Sequence, residues 1–434
     1  MNLANAVKLL LIAFLPTSFS FGVTINVTNT ADSGAGSFRQ ALLDAVDSDT
    51  ITFTVSGTIT LASDLPWITQ NNLTINGNAS TINGNNYRAF VIGNTSTTPS
   101  PVTIDQLSVT GATALGGNGG LAKGGGGGGG AGCGGAYFIK GNVTLINANL
   151  GSCSAIGGAG GTGNSGTNYG GGGGGGASFS YNVQRNGQNA PPGGLPFFGG
   201  NGGGNNPGSG TGLATGNPGG FSGGGGGGGT QAFSGFFNGG AGGFGGGGGG
   251  EALPPLGVPG TSGGAGGFGG GKGGSSATTG NGGNGIGGIC FVYTNSALTL
   301  TSMNMSAGTV TGGAGLSAGL GLAPGIFLYQ GAVLKFNGPM TVDFPIDANV
   351  LTPDGGTEIL SGAITFSGAV ANTYKGLTTV SAGTLALNKT GGAVAVPGDG
   401  LINGGTLSLS AASQIATTSA LTLSSGTFNM NGHA

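Results

Sequence analysis

Gly362-Ala363-Ile364-Thr365-Phe366 is the first of four related segments near the C-terminal end of this chain. The others are Gly383-Thr384-Leu385-Ala386-Leu387, Gly405-Thr406-Leu407-Ser408-Leu409 and Gly426-Thr427-Phe428-Asn429-Met430. Their first glycines are 21, 22 and 21 residues apart, and large apolar side chains stand two positions apart, as in strands with one buried face. A repeat of this length lets equivalent strands of successive coils pair in parallel about 4.8 Å apart. The pattern predicts an all-β fold, a right-handed parallel β-helix (solenoid).

A second repeat runs through the middle of the chain. Residues 102–109, 143–150 and 298–305 share one alternation of apolar and polar side chains, and each is followed by a glycine run. Although 155 residues separate Val143 from Leu298, the closure entropy of a loop grows only logarithmically with its length. We therefore expect these segments to belong to one solenoid that carries a long glycine-rich insertion.

The glycine-rich region spans residues 116–288, where 78 of 173 residues are glycine, and it contains one β-helix coil at about residues 134–156. Such a composition buries too little apolar surface to offset the entropy of ordering the backbone. We therefore expect residues 157–286 to project from the solenoid as an exposed, mobile segment. Six phenylalanines of this region are too sparse to build a second core, although they could dock transiently on the solenoid or on a partner: Phe197, Phe198, Phe236, Phe237, Phe244 and Phe268.

The N-terminal end divides into a targeting segment and a cap. Residues 1–22 read as a signal peptide, because a basic Lys8 precedes a short apolar core and small residues follow it. Residues 23–115 then hold the cap and the first coils. Ser37 followed by Gln40 predicts a helix start, with Phe38, Leu42 and Val46 on the face that covers the first coil. The C-terminal coils occupy residues 289–434.

Composition excludes some classes of partner. The chain has 434 residues, of which 5% are charged, and ten basic against twelve acidic residues leave no basic patch for nucleic acid. Cys133 and Cys153 are one coil apart, so they could pair in an oxidising compartment, or they could be buried thiols like Cys290. We expect no metal site and no cofactor.

Carboxylates were considered as catalytic groups because several polysaccharide-cleaving enzymes are β-helices. Asp343, Asp347, Asp354 and Glu358 form the main acidic grouping of the C-terminal coils, and prolines interrupt any regular spacing among them. A solvated connector is the preferred interpretation, so no catalytic residue is assigned and the chain is predicted not to be an enzyme. A secreted polysaccharide-active lyase or hydrolase is the alternative.

Paired threonines could indicate an ice-binding face. Thr-x-Thr steps occur from Thr50 to Thr54 and from Thr58 to Thr60. They do not recur in register along the sequence, so we do not expect such a face.

Three motifs resemble those of exported bacterial proteins. Residues 27–30, 32–34, 36–41 and 49–53 (VTNT, DSG, GSFRQA and DTITF) resemble the opening segment of bacterial surface β-helix proteins. Residues 134–139 and 287–292 resemble the GGA[IV] element of polymorphic outer-membrane proteins. Residues 374–387, within repeats at about 360–430, closely resemble the autotransporter-associated β-strand repeat, YxGxTTVxAGTLxL.

The resemblance implies a passenger exported by the autotransporter (type V) route. We expect a non-enzymatic protein of the cell surface, outer membrane or extracellular space, adhesin-like or structural, whose partners are host-cell or cell-surface ligands. In that family the repeat precedes an outer-membrane barrel, which is not present in this chain, so we expect a truncated or separately released passenger.

Overall fold

The computed structural model describes residues 22–93, 98–121, 125–163, 216, 218–227, 238–251, 263–271, 279–349 and 354–433. Residues 1–21 of the expected signal peptide lie outside the described residues. Within the described part, the regular structure is nearly all β-strand, with one helix of seven residues.

Strands follow one another along the N-terminal half at the spacing expected for coils. The first coils contain β1 (Thr24–Val27), α1 (Phe38–Asp44), β2 (Thr50–Phe53), β3 (Thr58–Thr60), β4 (Leu73–Asn83) and β5 (Phe90–Ile92). The next coils contain β6 (Val102–Thr110), β7 (Thr113–Leu115), β8 (Gly132–Cys133), β9 (Tyr137–Ile139), β10 (Asn142–Ile146), β11 (Asn149–Gly151) and β12 (Ser154–Ile156).

The C-terminal half continues the same order of strands. Its first coils contain β13 (Gly285–Ile286), β14 (Cys290–Val292), β15 (Ala297–Thr301), β16 (Asn304–Met305), β17 (Thr309–Thr311), β18 (Gly321–Leu322), β19 (Ile326–Leu328), β20 (Val333–Asn337), β21 (Met340–Val342) and β22 (Ile346–Ala348). The last coils contain β23 (Gly356–Ser361), β24 (Ala363–Phe366), β25 (Thr378–Val380), β26 (Thr384–Leu387), β27 (Gly400–Leu409) and β28 (Leu421–Asn429).

Equivalent strands of successive coils pair side by side. One sheet of 17 strands runs along the molecule, and a five-stranded sheet follows the order β22-β19-β14-β9-β5. Two smaller sheets have the strand orders β17-β12-β7 and β18-β13-β8. In the coils that contain them, the chain passes from the 17-stranded sheet through these two sheets to the five-stranded sheet. The pairings of the 17-stranded sheet are parallel from β1–β2 to β27–β28. This architecture is consistent with a parallel β-helix.

The register confirms that the four C-terminal segments are equivalent. Ile364 pairs with Leu385, Leu385 with Leu407, and Leu407 with Phe428. This column places apolar side chains on the inner face, where a single large core cluster extends from Val27 to Leu409. Burial of such side chains, worth about 1.5–3 kcal/mol each, is the main stabilising term.

The middle repeat is also in register across the insertion. Val143 pairs with Leu298 and, on its other side, with Val102. β12 likewise pairs with both β7 and β17. The prediction that coils 155 residues apart are neighbours is therefore confirmed, and the chain leaves the solenoid after β12 and returns at β13.

The N-terminal helix caps the core, but its buried face is shorter than predicted. Ser37 is the N-cap and its Oγ accepts a hydrogen bond from the Gln40 N–H at 3.2 Å. Phe38 and Leu42 are buried, and the Phe38 ring lies 5.1 Å from that of Phe53. Val46 is 54% exposed, so its assignment to this face is wrong. The helix ends at Asp44 because Ala45 has an extended backbone.

Charged residues of the opening segment hold the cap in place. Asp49 is buried, and its carboxylate accepts hydrogen bonds from the backbone N–H groups of Val23 and Val46, both at 2.8 Å. Arg39 pairs with Asp32 at 2.7 Å. These contacts give the motif residues a structural role, since they join β1, α1 and the start of β2.

A charge at Leu42 tests the cap. Leu42→Asp should lower the free energy of unfolding by several kcal/mol, on the order found for an unpaired buried charge. Leu43→Asp is the matched control, because Leu43 is 57% exposed in the same helix. Urea unfolding of the two variants measures the difference. Equal midpoints would show that α1 does not cover the core.

Candidate functional site

Glycine-rich segments leave the solenoid at one corner in three successive coils. They follow β7, β12 and β17, and they return to β8, β13 and β18. Further glycine hairpins from the long insertion pack between them. We call these described segments the glycine bundle: residues 116–121, 125–131, 157–163, 218–227, 238–251, 263–271, 279–284 and 312–320.

Hydrogen bonds in the glycine bundle follow a period of three. The Gly128 N–H donates to Gly225 O at 2.7 Å, the Gly129 N–H to Asn281 O at 2.7 Å, and the Gly130 N–H to Gly117 O at 2.8 Å. Three consecutive residues thus bond to three different neighbours, as expected for an extended helix of three residues per turn without internal hydrogen bonds, the polyproline II type. Each bond contributes roughly 0.5–1.5 kcal/mol net.

Close backbone contact explains why these positions are glycine. A Cβ at Gly128 would lie 2.0 Å from Gly247 O, and one at Gly129 would lie 1.9 Å from Gly158 O. Neither contact is sterically possible. The same residues are buried in the bundle.

The expectation of an exposed segment is therefore wrong for the described parts of residues 157–286, most of which are buried or half-buried. Burial in this region comes from backbone packing, which a pattern of apolar side chains does not reveal. Buried asparagines reinforce that packing. Asn281 donates to Gly248 O at 3.0 Å and accepts from the Ser317 N–H at 2.9 Å, and Asn284 makes the equivalent pair of bonds to Phe268 O and the Leu320 N–H.

Phenylalanines at the turns of the hairpins form a stack on the solenoid wall. Phe221 and Phe244 lie 5.2 Å apart, and Phe244 and Phe268 lie 5.3 Å apart, with nearly parallel rings. They pack against a second hydrophobic cluster that contains Phe138, Phe291 and Phe327 of the five-stranded sheet.

The sheet beneath this stack is consequently covered on its outer face. Phe244 and Phe268 therefore dock on the solenoid, one of the two surfaces expected for them, and they are partly buried against its second cluster. Phe197, Phe198, Phe236 and Phe237 lie outside the described residues.

The cysteines occupy buried positions as thiols. All three are free, and the Cys133 Sγ lies 3.3 Å from the Ser222 Oγ of a hairpin turn. Burial raises the pKa of the Cys133 thiol to about 11, so it is protonated at neutral pH. Cys133 and Cys153 are therefore buried thiols in this structure and do not form the alternative disulfide.

The acidic grouping of the C-terminal coils is divided between two sheets. Glu358, on β23, forms an ion pair with Lys335 at 3.0 Å. Asp347, on β22 of the five-stranded sheet, accepts a hydrogen bond from the Thr373 hydroxyl at 2.8 Å. Burial raises the pKa of the Asp347 carboxyl. These two members of the predicted grouping therefore have separate local partners.

Lys389 is a buried cation that the sequence analysis did not identify. Its Nζ donates to Ser367 O at 2.9 Å and to Val370 O at 2.8 Å. Burial lowers the pKa of Lys389 to about 8, and the charges of Asp347 and Asp343 offset part of that shift. A perturbed lysine near two carboxylates is a recognised signal of a functional site, although a structural tether produces it too.

The outer face of the long sheet is dominated by neutral hydrogen-bonding groups. Six threonines form a column in parallel register: Thr24, Thr50, Thr74, Thr103, Thr144 and Thr299. The second threonine of the Thr-x-Thr pair is not repeated in the same way. Along this column, the pair Thr50 and Thr52 recurs in register only at Thr299 and Thr301, so the paired pattern is discontinuous as predicted.

The column from Thr24 to Thr299 is itself continuous. Its regularity is hidden in the sequence because the coils have unequal lengths.

No family model, curated protein or solved structure matches this chain. Among the described residues, no helix is long and apolar enough to cross a membrane. No group of three or more His, Cys, Asp or Glu side chains within the same residues has the arrangement of a metal site.

Gly128→Ala should open the glycine bundle. The added methyl group overlaps Gly247 O, so we expect a loss of roughly 1–3 kcal/mol, as for overpacked cores, and faster cleavage after Phe244 by a protease specific for aromatic residues. In Gly151→Ala, the control, the Cβ meets only the Ser306 Oγ. Thermal unfolding and timed proteolysis measure both effects. Rapid cleavage after Phe244 in the unmodified protein would contradict the packed bundle.

Lys389→Met tests the buried cation through pH. Since the folded-state pKa of Lys389 is about 8 and its ordinary value is 10.5, the unfolded chain binds more protons between these values. The stability of the unmodified protein should therefore rise with pH in this window relative to Lys389→Met, by on the order of 1 kcal/mol after allowance for solvent screening. Urea unfolding at pH 7.5 and 10 provides the comparison. A pH-independent difference would show that Lys389 keeps its ordinary pKa.

Proposed function

We propose that this chain is a non-enzymatic passenger of a type V secretion system, folded as a right-handed parallel β-helix. It acts in adhesion or as a structural element at the bacterial cell surface or outside the cell. Residues 1–22 direct its export, and the C-terminal repeats resemble those that precede an outer-membrane barrel. The ligands are cell-surface proteins or glycans.

The glycine bundle is the observation that carries this proposal. Its interior is held by backbone hydrogen bonds such as Gly158 N–H to Gly130 O at 2.8 Å and Gly247 N–H to Gly129 O at 2.8 Å. It joins segments from three coils and covers the five-stranded sheet through Phe221, Phe244 and Phe268. Many residues thus form a packed layer on the solenoid wall that contains few ionisable groups, which suits the display of a surface.

The neutral outer face of the long sheet supports the same proposal. Its threonine column offers hydroxyl groups, and the Lys335–Glu358 ion pair follows the column in register. Contact through many weak neutral hydrogen bonds fits adhesion to an extended surface.

An adhesion assay tests the proposal. Fluorescent beads coated with residues 23–434 should be retained on cultured cells or on immobilised cell-surface glycans above the level of beads coated with an unrelated protein of similar net charge. Gly128→Ala beads should be retained less if the bundle presents the contact surface. If beads coated with residues 23–434 and beads coated with the unrelated protein are retained equally on every surface, the protein is not an adhesin. The proposal would then be reduced to a structural role.

The alternative is a secreted polysaccharide-active enzyme, and Lys389 near Asp343 and Asp347 is the observation that favours it. A lysine with a lowered pKa is a suitable general base for proton abstraction from a uronic acid. Lys389 is buried and its Nζ donates to Ser367 O and Val370 O, so this function requires those two bonds to open when the substrate binds. Incubation with a panel of uronic-acid polymers tests this function by the release of reducing or unsaturated ends. Release that is lost in Lys389→Met and in Asp347→Asn would replace the non-enzymatic proposal.

A further inference from the structure

A cleft of about 330 Å³ opens on the long sheet where β4, β6, β11 and β16 stack. Its side chains come from neighbouring coils, and those that bear on its chemistry are Ser108, Thr110, Asn149, Asn304 and Ser306. The volume is at the lower end of the range for small-molecule sites, about 300–1,000 Å³, so it suits a ligand of one or two sugar rings.

The cleft exists because one position in a column of side chains is glycine. Gly151 pairs in register with Thr110, and the Ser306 side chain lies beside it in the next coil. A Cβ built on Gly151 meets only the Ser306 Oγ, at 2.8 Å. The Ser306 hydroxyl therefore fills part of the space that a side chain at position 151 would take, and it must turn aside when a larger residue is introduced. The backbone of Gly151 does not itself require glycine, because its φ is outside the left-handed region.

Polar groups around this space are already oriented. The Asn304 Nδ2 donates to the Asn149 Oδ1 at 3.1 Å, and the Asn149 N–H donates to the Ser108 Oγ at 3.0 Å. Each amide and hydroxyl keeps further donor and acceptor capacity, because a carboxamide can make four hydrogen bonds and a hydroxyl three. Both asparagines are exposed, so this capacity faces solvent at the mouth of the cleft.

The chemistry of the lining selects a class of ligand. None of the residues that line the cleft is charged, so an anionic or cationic ligand would find no counter-charge. An apolar ligand would cover the amides without replacing their hydrogen bonds to water, at a cost of about 1–3 kcal/mol each. A neutral polyhydroxylated ligand can satisfy donors and acceptors together, because the hydroxyl and carboxamide side chains of Ser108, Asn149 and Asn304 offer both.

We propose that this cleft binds one or two units of a neutral glycan. The inference deepens the adhesive function proposed above, on which it rests for its biological meaning, by naming the ligand class and the residues. Asn149 and Asn304 bind the sugar hydroxyls, and Gly151 provides the room for the ring.

Filling the cleft provides the decisive variant. Gly151→Thr places at this position the residue that Thr110 already supplies in the preceding coil, so the fold should be preserved. Ala363→Thr is the matched control: Ala363 is exposed on β24, and the substitution extends the column of Thr384, Thr406 and Thr427 at a distant coil. Thermal unfolding of both variants should stay within a few degrees of the unmodified protein.

The experiment screens residues 23–434 on an array of neutral and acidic glycans and then measures affinity for the best glycan by calorimetry. We expect binding to a neutral glycan that falls at least tenfold in Gly151→Thr, falls severalfold in Asn304→Ala, and is unchanged in Ala363→Thr. Binding restricted to acidic glycans, or equal affinity in Gly151→Thr, would overturn the proposal.

The outcomes also separate this proposal from the general one. Beads that adhere to cells while no neutral glycan binds the protein would overturn the cleft as a glycan site and leave the adhesive function standing. Neutral-glycan binding with the expected loss in Gly151→Thr would support the cleft, even if the beads are not retained on cultured cells.

Discussion

Parallel pairing between equivalent strands of successive coils is the interaction on which the rest of this structure depends. It holds Val143 against Val102 on one side and Leu298 on the other, although the chain makes a long excursion between the last two. The entropy of closing that excursion grows slowly with its length, so the ladder of backbone bonds and the apolar column inside it can offset the cost. The core then continues through all the coils.

The same pairing creates the glycine bundle. Because β7, β12 and β17 are stacked, the segments that follow them leave the wall side by side. Backbones this close pack like the strands of a polyproline II assembly, and each carbonyl occupies the space that a neighbouring Cβ would need. Glycine has a large entropic cost of ordering, and the bundle offsets it with hydrogen bonds and with the aromatic stack at the hairpin turns, where ring pairs contribute about 0.5–1.5 kcal/mol each.

Function follows from what this architecture places on its surface. The inner face consumes the apolar residues, so the outer face is left with threonine, serine and asparagine in register, and charged pairs such as Lys335 and Glu358 are few. Gly151 lies in such a column, paired with Thr110, and it lines the cleft together with Asn149 and Asn304. The glycan site that we propose there would depend on this one small residue in an otherwise regular column.

The sequence by itself determined the strand pattern, the parallel pairing of the C-terminal segments and the start of the N-terminal helix at Ser37. These features are local or periodic, so they can be recognised from a capping residue or from apolar residues that alternate at a constant spacing. Tertiary structure alone decided the state of the glycine bundle, the burial of Lys389 and the position of the cleft at Gly151. Each depends on which backbones meet across coils of unequal length, and a glycine has no side chain whose pattern could reveal its neighbours. Val46 was misplaced for a local reason: the helix ends at Asp44, and the Val46 N–H donates to the Asp49 carboxylate three residues later instead of continuing the helix.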